Sequence, residues 1–245
     1  MIPAAATASG SASAAPVKEA QRTLRVGGLV PLTTTDYPGM LAAVVFCQGC
    51  PWRCHYCHNP HLIPARRAAE IAWTRVLSFL ERRRGLLDAV VFSGGEPTQQ
   101  SAILVAVREV RAMGFRIGLH TAGMYPRRLA RLLPLVDWVG IDIKAPFESY
   151  SNTTGAAHSG DAARESLRLI LSSGVDYECR TTVDPGLLDA DALTRLAATL
   201  AALGVNRYVL QECREPGGAC RIAPGAALED RLAGQFATFS VRRAA

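Results

Sequence analysis

The chain has 245 residues, 49% of them hydrophobic, and a formal charge of +6. That apolar content is ample for a buried core, and no stretch has the uninterrupted apolar length of a membrane span. The arginines are scattered, and the one tight run, Arg82-Arg83-Arg84, falls at an expected helix end and reads as a solvated face, so no nucleic-acid partner is expected.

Residues 1–22 are dominated by Ala, Ser, Thr and Pro. They hold too few large apolar side chains to offset the entropy of ordering, so a disordered tail is expected ahead of one domain over 23–245. The tail has neither a basic n-region nor a continuous apolar h-region, which points to a cytoplasmic protein whose seven cysteines are metal ligands or free thiols. From Val26 to Gly39 the text is Thr-rich and broken by Gly and Pro, as in a small extended hairpin leading into the first strand of the fold. The pattern then alternates. Strands are expected at 41–47, 88–93, 115–120, 137–143, 175–182 and 206–211, with helices at about 69–84, 100–113, 126–133, 161–173 and 189–203, and a last amphipathic helix near 225–238. Gly85, Gly114, Gly174 and Gly204 each stand where a helix should stop. Six βα steps demand a parallel sheet, doubly wound or an incomplete barrel, and the pattern alone does not choose.

The first of these strands, Val44-Val45-Phe46-Cys47, delivers a loop carrying Cys50, Cys54 and Cys57. Three readings compete for it. Cys50-x3-Cys54-x2-Cys57 suits three thiolates on three irons of a [4Fe–4S] cluster, with the fourth iron left open. Cys47-x2-Cys50 and Cys54-x2-Cys57 offer four sulfurs to a structural zinc, with His55, His58 and His61 as spares, although two pairs so close would be cramped. Cys54-His55-Tyr56-Cys57-His58 has the letters of a c-type haem attachment site, which needs an oxidising compartment.

Cys50-x3-Cys54-x-Tyr56-Cys57, with an aromatic residue just before the last cysteine, resembles the cluster motif of the radical S-adenosylmethionine enzymes. The fuller string, from Asp36-Tyr37-Pro38-Gly39 through Phe46-Cys47-Gln48-Gly49-Cys50 to Cys57-His58-Asn59-Pro60, is similar to one subfamily, the activating proteins of anaerobic ribonucleoside-triphosphate reductase. The resemblance implies a partial (β/α)6 TIM-like barrel, a [4Fe–4S] cluster on Cys50, Cys54 and Cys57, and S-adenosyl-L-methionine as second cofactor with Tyr56 beside its adenine. It further implies reductive cleavage to a 5′-deoxyadenosyl radical that takes a glycine Cα hydrogen from the reductase, and a flavodoxin- or ferredoxin-type electron donor. A radical enzyme of the same fold acting on a small molecule, such as the pterin-derived substrate of a 7-carboxy-7-deazaguanine synthase, would use the same cluster.

In a barrel, chemistry collects at the C-terminal strand ends. The second strand ends in Ser93-Gly94-Gly95-Glu96-Pro97, where paired glycines let backbone approach a ligand or simply make a tight turn. The segment resembles the one that receives the amino group of S-adenosylmethionine, which makes Ser93, Gly94, Gly95 and Glu96 candidate cofactor residues. The fourth strand puts Gly140, Asp142 and Lys144 on one face, and Lys144 is one of only two lysines in the chain. A compact point charge is wanted there. In the fifth strand Glu178, Arg180 and Thr182 share a face while Cys179 points away as a core thiol. Asp142-Ile143-Lys144 and Arg180-Thr181-Thr182-Val183 resemble cofactor-lining segments of glycyl-radical activating enzymes, so Asp142, Lys144 and Arg180 form the candidate catalytic set, with the two cations at the cofactor carboxylate. One departure stands out: where related activating enzymes show Asp-Thr-Asn-Gly, this chain has His120-Thr121-Ala122-Gly123, which removes the carboxylate that would hold a cation there. His120 is then a neutral hydrogen-bonding ligand or a satisfied core histidine, with Thr121 beside it at the cofactor. Cys213 and Cys220 are too few for a second four-thiolate cluster.

Overall fold

The structure, a computed structural model, describes residues 23–66, 70–213 and 225–243. The expected tail over 1–22 and Cys220 lie outside the described residues. Eight strands form one sheet in chain order: β1 (Val26–Thr33), β2 (Ala42–Cys47), β3 (Ala89–Gly94), β4 (Arg116–Thr121), β5 (Trp138–Asp142), β6 (Asp176–Val183), β7 (Arg207–Glu212) and β8 (Thr238–Arg242). β1 is antiparallel to β2, and every later pair is parallel. Helices α1 (Trp73–Glu81), α2 (Ile103–Ala112), α3 (Pro126–Leu132), α4 (Tyr150–Thr154), α5 (Ser159–Ser173), α6 (Ala190–Ala202) and α7 (Ala226–Ala233) make the crossovers. This is a partial TIM-like barrel. Among the described residues no helix is long and apolar enough to cross a membrane.

The six expected strands are β2 to β7, and two further strands flank them. The expected hairpin over 26–39 is a strand, β1, whose partner is β2 itself. The expected helix over 225–238 stops at Ala233, and Thr238-Phe239-Ser240-Val241-Arg242 pairs with β7 instead. Its alternation is only five residues long, too short to stand out beside a helical period. Aromatic packing fixes it: Phe236 and Phe239 lie 4.8 and 6.1 Å from the Tyr208 ring. The four glycines expected to end helices all have positive φ, from 75° to 94°.

Two apolar layers result from strand alternation. One face of the sheet meets the helices, where α2 buries Ile103, Ala106, Val107 and Val110, an i, i+3, i+4, i+7 stripe. The other face lines the barrel, and its lower half is filled by Ala42, Val44, Ala89, Val91 and Trp138. The β1–β2 connection plugs this floor. Tyr37 enters the barrel and stacks on Trp138 at 5.3 Å, so the space left open is at the C-terminal strand ends. At the end of α1 the arginine run is solvated as expected, with Arg84 paired to Glu81 and Arg83 over the Phe79 ring.

Candidate functional site

Cys47 is the last residue of β2, and alternation sends its side chain into the helix-facing core with Ala43 and Val45. The chain beyond it is tied to two neighbours. Gln48 N–H donates to the Arg25 carbonyl at 3.0 Å, and the Gln100 amide donates to the carbonyls of Arg25 (2.9 Å) and Gln48 (3.0 Å). The loop then closes on itself, with Gly49 N–H to Leu62 O at 2.7 Å and Cys50 N–H to Ile63 O at 3.0 Å. On its outer side Arg53 N–H donates to Thr154 O at 2.9 Å, and Trp52 packs edge-on against Tyr150. These ties direct Cys50, Cys54 and Cys57 into one cavity of about 250 Å³, with the exposed His58 at its edge, while His55 and His61 stay exposed outside it. Burial pushes the Cys50 thiol up to about 12 and raises Cys54 as well. Ligation there must release protons.

The paired glycines lock a second loop onto the first. Gly94 has φ of 115°, and a Cβ on it would strike the Cys47 backbone. One on Gly95 would strike the Gly49 carbonyl. Without them the loops interlock, Gly95 N–H donating to Cys47 O and Glu96 N–H to Gly49 O, both at 2.9 Å. Ser93, Gly94 and Gly95 line the cavity, as do His120 and Thr121. The Glu96 side chain is not among the groups that line the cavity. It is fully buried behind the wall and accepts from Thr98 N–H (3.0 Å), the Thr98 hydroxyl (2.5 Å), the Thr121 hydroxyl (2.8 Å) and Ala122 N–H (2.9 Å).

Charge enters from β5 and β6. Asp142, Lys144 and Arg180 share the barrel face, with Arg180 Nε 2.8 Å from one Asp142 oxygen and Lys144 Nζ 3.7 Å from the other. Burial alone would raise the Asp142 carboxyl, but the Arg180 and Lys144 cations outweigh it and hold it below the usual carboxylate range. Burial likewise opposes the Lys144 charge, and Tyr56, Asp142 and Cys54 around it more than compensate. Its ammonium lies 5.7 Å from the centroid of the Tyr56 ring. Arg180 lies across Gly140, where a Cβ would come within 2.7 Å of the guanidinium. The ladder continues to the edge strand, where Arg242 makes a bidentate pair with Glu178 at 2.6 and 2.7 Å.

Residues 44–207 match the family description "Radical SAM superfamily". The chain belongs to that superfamily. Radical SAM proteins carry a [4Fe–4S] cluster and use S-adenosylmethionine, which decides among the three readings of the cysteine loop in favour of the cluster. The residues present fit these groups. Three half-buried thiols, those of Cys50, Cys54 and Cys57, face one cavity, as a cluster that takes one thiolate on each of three irons requires. The Tyr56 hydroxyl, buried in the wall with no protein partner, is free for a bound group.

Among relatives, a Methanocaldococcus jannaschii protein bearing the name of a glycyl-radical enzyme activating enzyme is 32% identical over 76% of this chain and 79% of its own. The pyruvate formate-lyase-activating enzyme of Clostridium pasteurianum is 28% identical over 75% of this chain and 85% of its own. The fold is shared with Streptococcus suis SuiB bound to S-adenosylmethionine, at a TM-score of 0.60 and 13% identity over 80% of this chain. This chain spans about half of that structure (48%).

Several residues that line this cavity were not singled out from the sequence. Gln211 lines the cavity from the end of β7, and the rule that strand ends carry the chemistry would have found it. Met124 and the floor residue Asp36 line it too. Tyr150, whose hydroxyl donates to Asp142 O (3.2 Å) and accepts from Lys144 N–H (3.1 Å), braces the end of β5 from a helix that no sequence period announced.

Proposed function

We propose that this chain is an activating enzyme that removes a Cα hydrogen from a glycine of a glycyl-radical enzyme, and that this partner is anaerobic ribonucleoside-triphosphate reductase. The match to relatives named as activating enzymes over about three quarters of the chain carries the first part of the reading. The string resembling the reductase activators supports the second: Asp36 at one end and Cys57 and Asn59 at the other line the same cavity. A flavodoxin- or ferredoxin-type donor would supply the electron. When bound, the cluster and S-adenosylmethionine together supply a carbon radical able to take an unactivated hydrogen.

The chain's own residues hold and orient these groups. Cys50, Cys54 and Cys57 would ligate the cluster. The Gly94-Gly95 backbone offers polar groups with no side chain in the way, and Tyr56 forms an aromatic wall. Asp142 spaces the two cations, so that Lys144 and Arg180 would together meet the carboxylate of the cofactor. Lys144→Ala is therefore expected to weaken cofactor binding about ten- to a hundredfold with the iron content unchanged, since a charge-assisted hydrogen bond is worth roughly 1.5–3 kcal/mol. Calorimetric titration of the cluster-bearing variant checks this, and unchanged affinity would leave Lys144 as no more than a partner of Asp142.

A glycine suits such a site because its Cα can approach a buried reactive carbon without a side chain intervening. The test uses the reductase with deuterium at its glycine Cα. Deuterium should appear in the 5′-deoxyadenosine produced. Cleavage of S-adenosylmethionine that leaves the glycine label in place would favour a small-molecule substrate.

A further inference from the structure

The two ring nitrogens of His120 have different partners. Nε2 lies 2.8 Å from the backbone carbonyl of Asp36, in the turn that plugs the barrel floor. A carbonyl oxygen only accepts, so Nε2 carries the proton, and in the neutral ring Nδ1 is left as an acceptor. Nδ1 faces the Ser93 hydroxyl at 3.4 Å. The ring is fixed edge-on against Trp138 at 5.6 Å. It also stays neutral: burial, reinforced by the Arg180 cation and by Arg242, drives its pKa down to about 3 against the opposing pull of Asp142 and the Asp36 carbonyl. An aspartate at this position would set an acceptor against the Asp36 carbonyl and could not make the same tie.

We propose that His120 is a positioning residue: in one fixed tautomer it ties the floor turn at Asp36 to Ser93 at the mouth and turns the Ser93 proton away from the cavity. Ser93 then offers the cavity only lone pairs. The group it selects is a donor, an ammonium or a hydroxyl, while an anionic group is left to Lys144 and Arg180 on β5 and β6. Such a division of signs matches an α-amino acid zwitterion, which is the form of the methionine end of S-adenosylmethionine. The inference rests on reading the cavity as the cofactor site.

Two variants separate the roles of the ring. His120→Gln keeps an N–H able to reach Asp36 but offers Ser93 no acceptor, whereas His120→Asn keeps an acceptor near the Nδ1 position and gives up the Asp36 contact. On the cluster-bearing full chain, Ser93→Ala and His120→Gln should each weaken S-adenosylmethionine binding about five- to tenfold, the worth of one hydrogen bond. The double variant should be no weaker than Ser93→Ala alone, and His120→Asn should restore most of the affinity. Nitrogen-15 resonances of the His120 ring at pH 7 should show the neutral, Nε2-protonated form. A proton on Nδ1, or fully additive losses in the double variant, overturns the proposal. Weaker binding in Lys144→Ala with none in Ser93→Ala overturns it alone, and no change in either overturns the reading of the cavity along with it.

Discussion

Alanine at Cys50, Cys54 or Cys57, one at a time, is expected to abolish stable cluster assembly and with it all reductive cleavage of S-adenosylmethionine, while Cys47→Ala retains both. The first three thiols share a cavity, and Cys47 is fully buried in the core on the opposite face of the sheet. With two thiolates left, a cubane would have two irons without protein ligands. Iron and sulfide content after anaerobic reconstitution is the measurement. Loss of iron in Cys47→Ala equal to that in the others would contradict the assignment and restore a four-thiolate site.

Glu96→Ala is expected to lower the stability of the chain by about 3–5 kcal/mol, the largest effect foreseen for a residue outside the cavity. The carboxylate is wholly buried, and its removal would leave donors of Thr98, Thr121 and Ala122 without an acceptor. These donors belong to the turn that follows β3 and to the end of β4, so the same change would loosen the wall that carries Ser93 and His120. The urea midpoint of the apoprotein reports the loss directly. An unchanged midpoint with weakened cofactor binding would instead make Glu96 a direct ligand.

The parallel strands and their intervening helices were legible in the sequence because each strand is a short β-branched run and four glycines mark helix ends. Flanking strands β1 and β8 were not. β1 is half exposed and broken by two glycines and a proline, and β8 follows its helix with only four residues between. At the site, spacing identified the cysteines and alternation placed Asp142, Lys144 and Arg180 on one face, because both signals are local. What stayed hidden depends on contacts between distant segments. Tyr37 meets Trp138 across about a hundred residues, and His120 meets Asp36 across 84. Glu96 illustrates the limit most clearly: its motif was evident, but the direction of its side chain was set by Thr121 and Ala122 on another strand.

The proposed target of this radical SAM protein is a glycine in a partner protein. Reduced, cluster-bearing protein mixed anaerobically with S-adenosylmethionine and anaerobic ribonucleoside-triphosphate reductase from the same source should give an electron paramagnetic resonance doublet. Deuterium at the Cα of the reductase glycine should collapse that doublet to a single line. Cleavage of S-adenosylmethionine with no protein-borne radical on the reductase would contradict the account.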